Sequence, residues 1–92
     1  MSIKIVGGIV SLTTNPKVKA IVNTIDFPNV NRVHGQVPIG AQGVMVIKNV
    51  PDHQNFVPGN ILNYRDSNNN NNAQLTVNSV VGPTKYNVTR TA

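Results

Sequence analysis

The side chains able to carry acid–base chemistry in this chain are three aspartates and two histidines: Asp26, Asp52, Asp66, His34 and His53. General acid–base catalysis usually needs two carboxylates, or a carboxylate and a histidine, held in one cleft. Asp52 and His53 are neighbours in a proline-led loop, where the side chains of adjacent residues diverge in an extended chain. The other two aspartates stand beside turn-forming residues, where aspartate is common for structural reasons. We therefore expect no catalytic residue and no enzymatic activity.

Other reaction centres are excluded by residue type or by spacing. The chain has no cysteine, which excludes disulfides, zinc knuckles, iron–sulfur sites and thiol catalysis. The two histidines lie far apart with no obvious third ligand, and no serine sits in a Gly-x-Ser-x-Gly turn. The glycines at Gly7-Gly8 and Gly40–Gly43 lack the spacing of phosphate-binding loops. We expect no cofactor-binding residue, no metal site and no cofactor.

The charge balance is strongly positive because acids are scarce rather than because bases are abundant. Eight Lys and Arg residues against three Asp give a formal charge of +5, and only 12% of the residues are charged. A sequence pI near 10.1 is typical of nucleic-acid-binding domains. Binders of single strands also need exposed aromatic rings, and the whole aromatic set is Phe27, Phe56, Tyr64 and Tyr86. A small basic β-barrel that binds nucleic acid is therefore the second hypothesis.

The composition indicates that strands must position these side chains. Valine, isoleucine and threonine supply 30 of the 92 residues, against three leucines and four alanines, and β-branched residues favour strands. Glycine, proline and asparagine interrupt the chain at short, regular intervals. We predict an all-β fold, a small sandwich or barrel of about six to eight short strands, near 3–6, 9–13, 17–25, 30–37, 44–50, 60–65, 74–81 and 85–90. Without a repeat or a linker, residues 1–92 are expected to form a single domain.

The alternation of side chains predicts which strand faces are buried. Apolar and polar residues alternate in 74–81 and in 85–90, so each of these strands has one buried face. The apolar positions are Leu75, Val77, Tyr86 and Val88. Segment 44–50 is apolar on both faces, so it either lies centrally in the fold or presents one face to a partner.

Segment 17–25 is compatible with two structures. Its apolar residues follow the helical spacing i, i+3, i+4 and i+7 at Val18, Ile21, Val22 and Ile25. Asn15 is suited to cap such a helix, with Pro16 at its first position. The run from Ile21 to Ile25 nevertheless consists of poor helix formers. We predict a strand, with one short helix near 16–25 as the alternative.

An asparagine run separates two predicted strands. Asn68–Asn72 cannot build a core, and asparagine favours turns, so we predict a solvent-exposed hairpin loop. The alternative is that its amides bind the backbone of a partner. Aromatic and cationic residues that flank this loop or lie in the last strand are the candidate partner contacts: Tyr64, Arg65, Lys85, Tyr86 and Arg90.

The size of the chain limits its stability when it is alone. A chain this short buries only about 60–65% of its unfolded surface, and small domains often gain stability from disulfides, metals or oligomerisation. Disulfides are impossible without cysteine, and few charges protect the strand edges from pairing. A surface rich in Val, Ile, Thr and Asn suits lasting subunit contacts. We therefore expect a non-enzymatic structural protein that forms a homo-oligomer and binds other proteins.

This profile of size and composition is similar to that of small bacteriophage virion proteins, notably capsid cement or decoration proteins and small tail or neck proteins. The resemblance transfers no functional residues. It implies that the chain stabilises a protein shell by bridging neighbouring subunits of a larger lattice such as a capsid, with its cations facing acidic patches.

Signals for membrane insertion and secretion are missing from the sequence. The longest apolar stretch, Val44 to Ile47, is far shorter than the roughly 20 residues of a membrane helix. The N-terminal segment lacks the long apolar region and cleavage site of a signal peptide. We expect no membrane partner, synthesis in the host cytoplasm, and a location in the virion or otherwise in the cytoplasm.

Overall fold

A computed structural model describes residues 3–28, 30, 37–49, 56–66 and 72–92. This part of the chain contains seven strands. Their bounds are β1 Ile3–Val6, β2 Ile9–Leu12, β3 Lys19–Phe27, β4 Gln42–Ile47, β5 Ile61–Arg65, β6 Asn72–Gly82 and β7 Lys85–Arg90. These residues include no helix long and apolar enough to span a membrane. The prediction of an all-β fold is confirmed. The strand predicted at 30–37 falls mostly on residues outside the described part.

Six of the strands close into an antiparallel barrel. The order around the barrel is β3, β2, β5, β6, β7 and β4, and β4 pairs back onto β3 to close it. β1 is the additional strand, and among the described residues it pairs only with β3. Closure gives every barrel strand a neighbour on both sides over at least part of its length, which removes most free strand edges in this part of the chain.

A glycine pair separates β1 from β2. Both strands run along the same edge of β3 in one register, which starts with Ile3 opposite Phe27. Between them, Gly7 and Gly8 have φ angles of 84° and 103°, which residues with a side chain rarely adopt. After this break β2 also pairs with β5 on its other side, and β1 does not.

A register shift in β3 explains the ambiguous pattern of this segment. β3 shifts against β4 just after Val22, which marks a β-bulge and reverses the alternation of side chains. As a result Val22 and Ile25 are both buried, while Ile21 is 51% exposed. Buried residues three apart in a bulged strand resemble the spacing of a helix. The alternative of one short helix near 16–25 is therefore wrong, and the strand prediction is confirmed.

All seven strands contribute side chains to the core, and the described part of the chain buries no charged or polar residue there. The predicted inner faces of β6 and β7 are confirmed, since their four apolar residues are each at most 3% exposed: Leu75, Val77, Tyr86 and Val88. β4 is paired on both edges, with Met45 and Ile47 buried and its other apolar residues half-buried. Its apolar character on both faces therefore reflects a central position in the fold.

Candidate functional site

The two tyrosines among the predicted partner contacts lie in the core. Tyr64 is 6% exposed and Tyr86 is 1% exposed. The Tyr64 hydroxyl donates to the Gly7 oxygen at 3.0 Å, and the Tyr86 hydroxyl donates to the Pro83 oxygen at 2.9 Å. Tyr64 thus braces the break between β1 and β2, and Tyr86 braces the turn between β6 and β7. Contact with a partner stays a prediction for both.

The three predicted cations lie in different settings. Arg65 and Lys85 are exposed, and they stand opposite the two ends of β6. Arg90 is half-buried, and its guanidinium donates hydrogen bonds to the Val37 and Ala92 oxygens. Arg90 therefore ties the segment before β4 to β7. The structure does not bring the five predicted contact residues into one patch.

Alkaline pH is expected to destabilise the fold through the two buried tyrosines. Burial raises the pKa of Tyr64 above its ordinary value of 10.0, and the negative charge of Asp66 raises it further; burial raises the pKa of Tyr86. The folded chain therefore holds both phenolic protons more tightly than the unfolded chain does. This contribution to stability is complete below pH 10.0 and is lost as the pH rises through the raised pKa values of the folded state.

Urea unfolding at a series of pH values from about 8 to 12 measures this loss. The double variant Tyr64→Phe, Tyr86→Phe removes both titrations, so its free energy of unfolding should vary less with pH than that of the wild type. An equal decline in both proteins above pH 10.0 would contradict the assignment.

The side of β1 that faces away from β3 has no strand partner among the residues that the structure describes, and we call it the β1 edge. The Gly7 N–H donates to the Asn23 oxygen of β3 at 3.1 Å. Backbone groups of successive strand residues point to opposite sides, so Ile5 also faces β3, while the N–H and C=O groups of Lys4 and Val6 point away from it. No described strand pairs with that side. The β1 edge is therefore open to a further strand.

Exposed apolar side chains lie on β1 and on the β2–β3 pair beyond the glycine break. Val6 is 71% exposed, the largest fraction among the described large hydrophobic residues. Beyond the glycine break, Ile9 and Ile21 lie opposite each other and are 48% and 51% exposed. Ile5 is half-buried and packs against the core. Exposed aliphatic groups beside unpaired backbone groups are typical of a surface on which another chain packs.

A groove of about 700 Å³ crosses the outer surface of β2, β3, β5 and β6. We call it the cationic groove, because its lining combines the exposed cations Lys19 and Arg65 with four polar residues: Ser11, Asn63, Asn72 and Gln74. The strand registers place Lys19, Ser11, Asn63 and Gln74 in one row. The groove is therefore suited to an acidic group, which charged and amide donors would bind.

All four aromatic rings of the chain are buried. Their exposed fractions are at most 6% for Phe27, Phe56, Tyr64 and Tyr86. Phe56 and Tyr86 pack edge to face, with ring centroids 5.7 Å apart. None of these four rings is left on the surface to stack on a nucleic-acid base.

The acidic residues that the structure describes lie apart from one another. Asp26, expected beside a turn, lies instead within β3, opposite Lys4 of β1 and Val44 of β4. Asp66 follows β5. No three His, Cys, Asp or Glu side chains in the described ranges are grouped so that they could hold a metal ion. The remaining candidates for acid–base chemistry lie outside the described residues: Asp52, His34 and His53.

Sequence reasoning identified Arg65 as a contact residue but missed the other residues of the β1 edge and of the cationic groove. Strand alternation in 60–65 is a usable signal for Asn63, since it places Asn63 and Arg65 on the face opposite Tyr64. Asn72, which the sequence places in the predicted loop, instead opens β6 and lines the cationic groove. The rest of the asparagine run, 68–71, lies outside the described residues. The β1 edge has no local signal, because it depends on which strands become neighbours.

Comparison of the chain with protein-family models, with curated proteins and with solved structures gives no match. Its function must therefore be inferred from its own residues.

Proposed function

We propose that this chain is a non-enzymatic assembly protein that joins neighbouring protein subunits by pairing β1 with a strand of a partner. The observation that carries the proposal is the β1 edge, where Lys4 and Val6 direct backbone groups away from the barrel beside exposed aliphatic side chains. Strand addition of this kind supplies backbone hydrogen bonds for affinity and side-chain contacts at alternate positions for specificity.

The energetics favour a partner at this edge. Each backbone hydrogen bond gained there contributes about 1 kcal/mol net, and covering an exposed valine contributes about 1–2 kcal/mol. A small domain without cysteine has a total stability on the order of 5–10 kcal/mol, so these contributions are large by comparison. Pairing at the β1 edge therefore stabilises the chain together with its partner.

The proposed setting is a virion shell, in which the chain acts as a capsid cement protein between subunits. Its low content of charged residues and its wealth of Val and Asn suit a permanent interface. The cationic groove supports the same setting, because Lys19 and Arg65 are suited to acidic groups on a lattice. A protein that binds only the assembled shell increases the resistance of the shell to disruption by mass action. Synthesis in the host cytoplasm belongs to this proposal.

A second candidate function is nucleic-acid binding, and the cationic groove is the observation that favours it. Lys19 and Arg65 lie in an open groove on a chain of formal charge +5, and such cations bind phosphates. The burial of all four aromatic rings counts against it, because binders of single strands rely on stacking. We therefore place it second.

Molar mass in solution tests the proposal against this second candidate. Size-exclusion chromatography with light scattering should give a mass above the 9.9 kDa of one chain. That mass should persist between about 0.05 and 1 M salt, because backbone and apolar contacts do not release counterions. A monomer at every protein and salt concentration would overturn the proposal. Binding of a labelled oligonucleotide by that monomer, lost on adding salt, would establish the second candidate.

A further inference from the structure

We propose that the partner of the β1 edge is β1 of a second copy, paired antiparallel about a two-fold axis at Ile5. The inference rests on the proposed function and deepens it, since it names the partner and the register. In this arrangement Lys4 of one copy lies opposite Val6 of the partner subunit, and Val6 lies opposite Lys4 of the partner subunit.

The hydrogen-bonding pattern of β1 selects this class of register. Only Lys4 and Val6 have backbone groups that point away from β3 among the four residues of β1. In an antiparallel ladder, residues that exchange hydrogen bonds lie directly opposite each other. The outward residues of one copy must therefore face the outward residues of the other. Pairing about Ile5 satisfies this for both, and it forms about four backbone hydrogen bonds between the copies.

Charge and hydrogen bonding distinguish this register from the two registers centred on Lys4 and Val6. Pairing about Lys4 would place the two Lys4 side chains directly opposite each other, and the repulsion between these like charges disfavours that register. Pairing about Val6 would place Lys4 opposite Gly8, whose C=O already accepts a hydrogen bond from the Val22 N–H of β3, so only the two Val6 residues could exchange hydrogen bonds. Pairing about Ile5 avoids both costs. It also lets the aliphatic part of each Lys4 cover the exposed Val6 of the other copy.

A second copy is the occupant that the edge itself fits. The sequence of β1 is Ile, Lys, Ile, Val. When the axis passes through Ile5, the two Ile5 side chains lie opposite each other, and each Lys4 lies opposite a valine rather than another lysine. The half-buried Ile5 side chains then meet at the axis, where each covers the exposed part of the other. The formal charge of +5 on each copy opposes association. Salt screens this repulsion, so association should strengthen with salt.

Charge substitutions at one position test the register. Val6→Lys would place two like charges opposite each other twice in the dimer, and we expect it to weaken association at least about tenfold. Val6→Asp would place a carboxylate opposite each Lys4, and we expect it to keep or tighten association. Val80→Lys and Val80→Asp are the matched controls, because Val80 is also an exposed valine in a strand. Both controls should leave association unchanged.

Amide hydrogen exchange gives a second measurement that does not depend on a variant. The N–H groups of Lys4 and Val6 should exchange more slowly as the protein concentration rises, while the N–H of Ile5, bonded to β3, should be protected at every concentration. Protection that grows at Lys4 and Val6 but not at Ile5 would support pairing through the β1 edge.

The outcomes separate this inference from the proposed function. If the chain associates and both Val6 variants weaken it equally, the register is wrong, although pairing at the β1 edge stands. If the chain associates and neither Val6 variant changes the strength of association, both the self-pairing of β1 and the role of the β1 edge in association are contradicted. A wild-type monomer at all concentrations would overturn the self-pairing together with the proposed function.

Discussion

Replacing Tyr86 with alanine is expected to lower the free energy of unfolding by about 4 kcal/mol. The side chain is 1% exposed, its ring packs edge to face on Phe56 with centroids 5.7 Å apart, and its hydroxyl lies 2.9 Å from the Pro83 oxygen. Truncation would leave a large cavity in the core and remove the brace on the turn between β6 and β7. Urea unfolding followed by circular dichroism measures the loss.

Tyr86→Phe is the control for this prediction. It keeps the ring and its packing on Phe56 and removes only the bond to Pro83, so it should cost about 1 kcal/mol. If Tyr86→Ala were no more destabilising than Tyr86→Phe, the placement of the ring in the core would be contradicted. If Tyr86→Ala kept its stability but lost association, the residue would instead be the partner contact predicted from the sequence.

Replacing Gly8 with alanine is expected to cost about 3 kcal/mol, the second-largest effect. Gly8 has a φ of 103°, where a residue with a side chain is strained. A Cβ there would lie 2.6 Å from the Tyr64 ring and 2.7 Å from the Arg65 oxygen. Relief would require Tyr64 to move and give up its hydrogen bond to Gly7. The change would therefore disturb the point at which β1 separates from β2.

Two other glycines separate the causes of this effect. Gly40 has a φ of 95° but open space around it, so Gly40→Ala should cost only the backbone strain, about 1 kcal/mol. Gly82 has neither a positive φ nor a close neighbour, so Gly82→Ala should be nearly neutral. Thermal unfolding of the three variants ranks them. Equal losses in Gly8→Ala and Gly40→Ala would show that the close approach of Tyr64 and Arg65 does not contribute.

Local alternation was sufficient to predict most of the strands and part of the core. The inner residues of β6 and β7 could be identified because each strand buries one face at the positions that follow the alternation. The same rule failed within β3. There a bulge after Val22 brings Ile25 into the core on the same side as Val22, while Ile21 stays outside by the ordinary alternation, and a bulge has no signature in local composition.

The candidate surfaces could not be predicted because they depend on long-range pairing. Ile9 of β2 lies opposite Arg65 of β5, and Val22 of β3 lies opposite Ile47 of β4. These pairs decide which side of β1 stays open and which polar residues share the cationic groove. Tyr64 was chosen because it flanks the asparagine run; its own face of β5 points inward, and its contact with a partner stays a prediction.

The closed barrel limits how far molecules of this kind can aggregate. Apart from β1, the longest stretch without a second neighbour in the described part is the end of β6 beyond Val77, where two register shifts interrupt the ladder. Irregular strands of that kind are poor templates for further pairing. Once β1 is occupied, the strands that the structure describes leave no other regular ladder to be extended. If β1 pairs as proposed, growth should therefore stop at a complex of fixed size, whereas sheets open on both sides polymerise into fibrils.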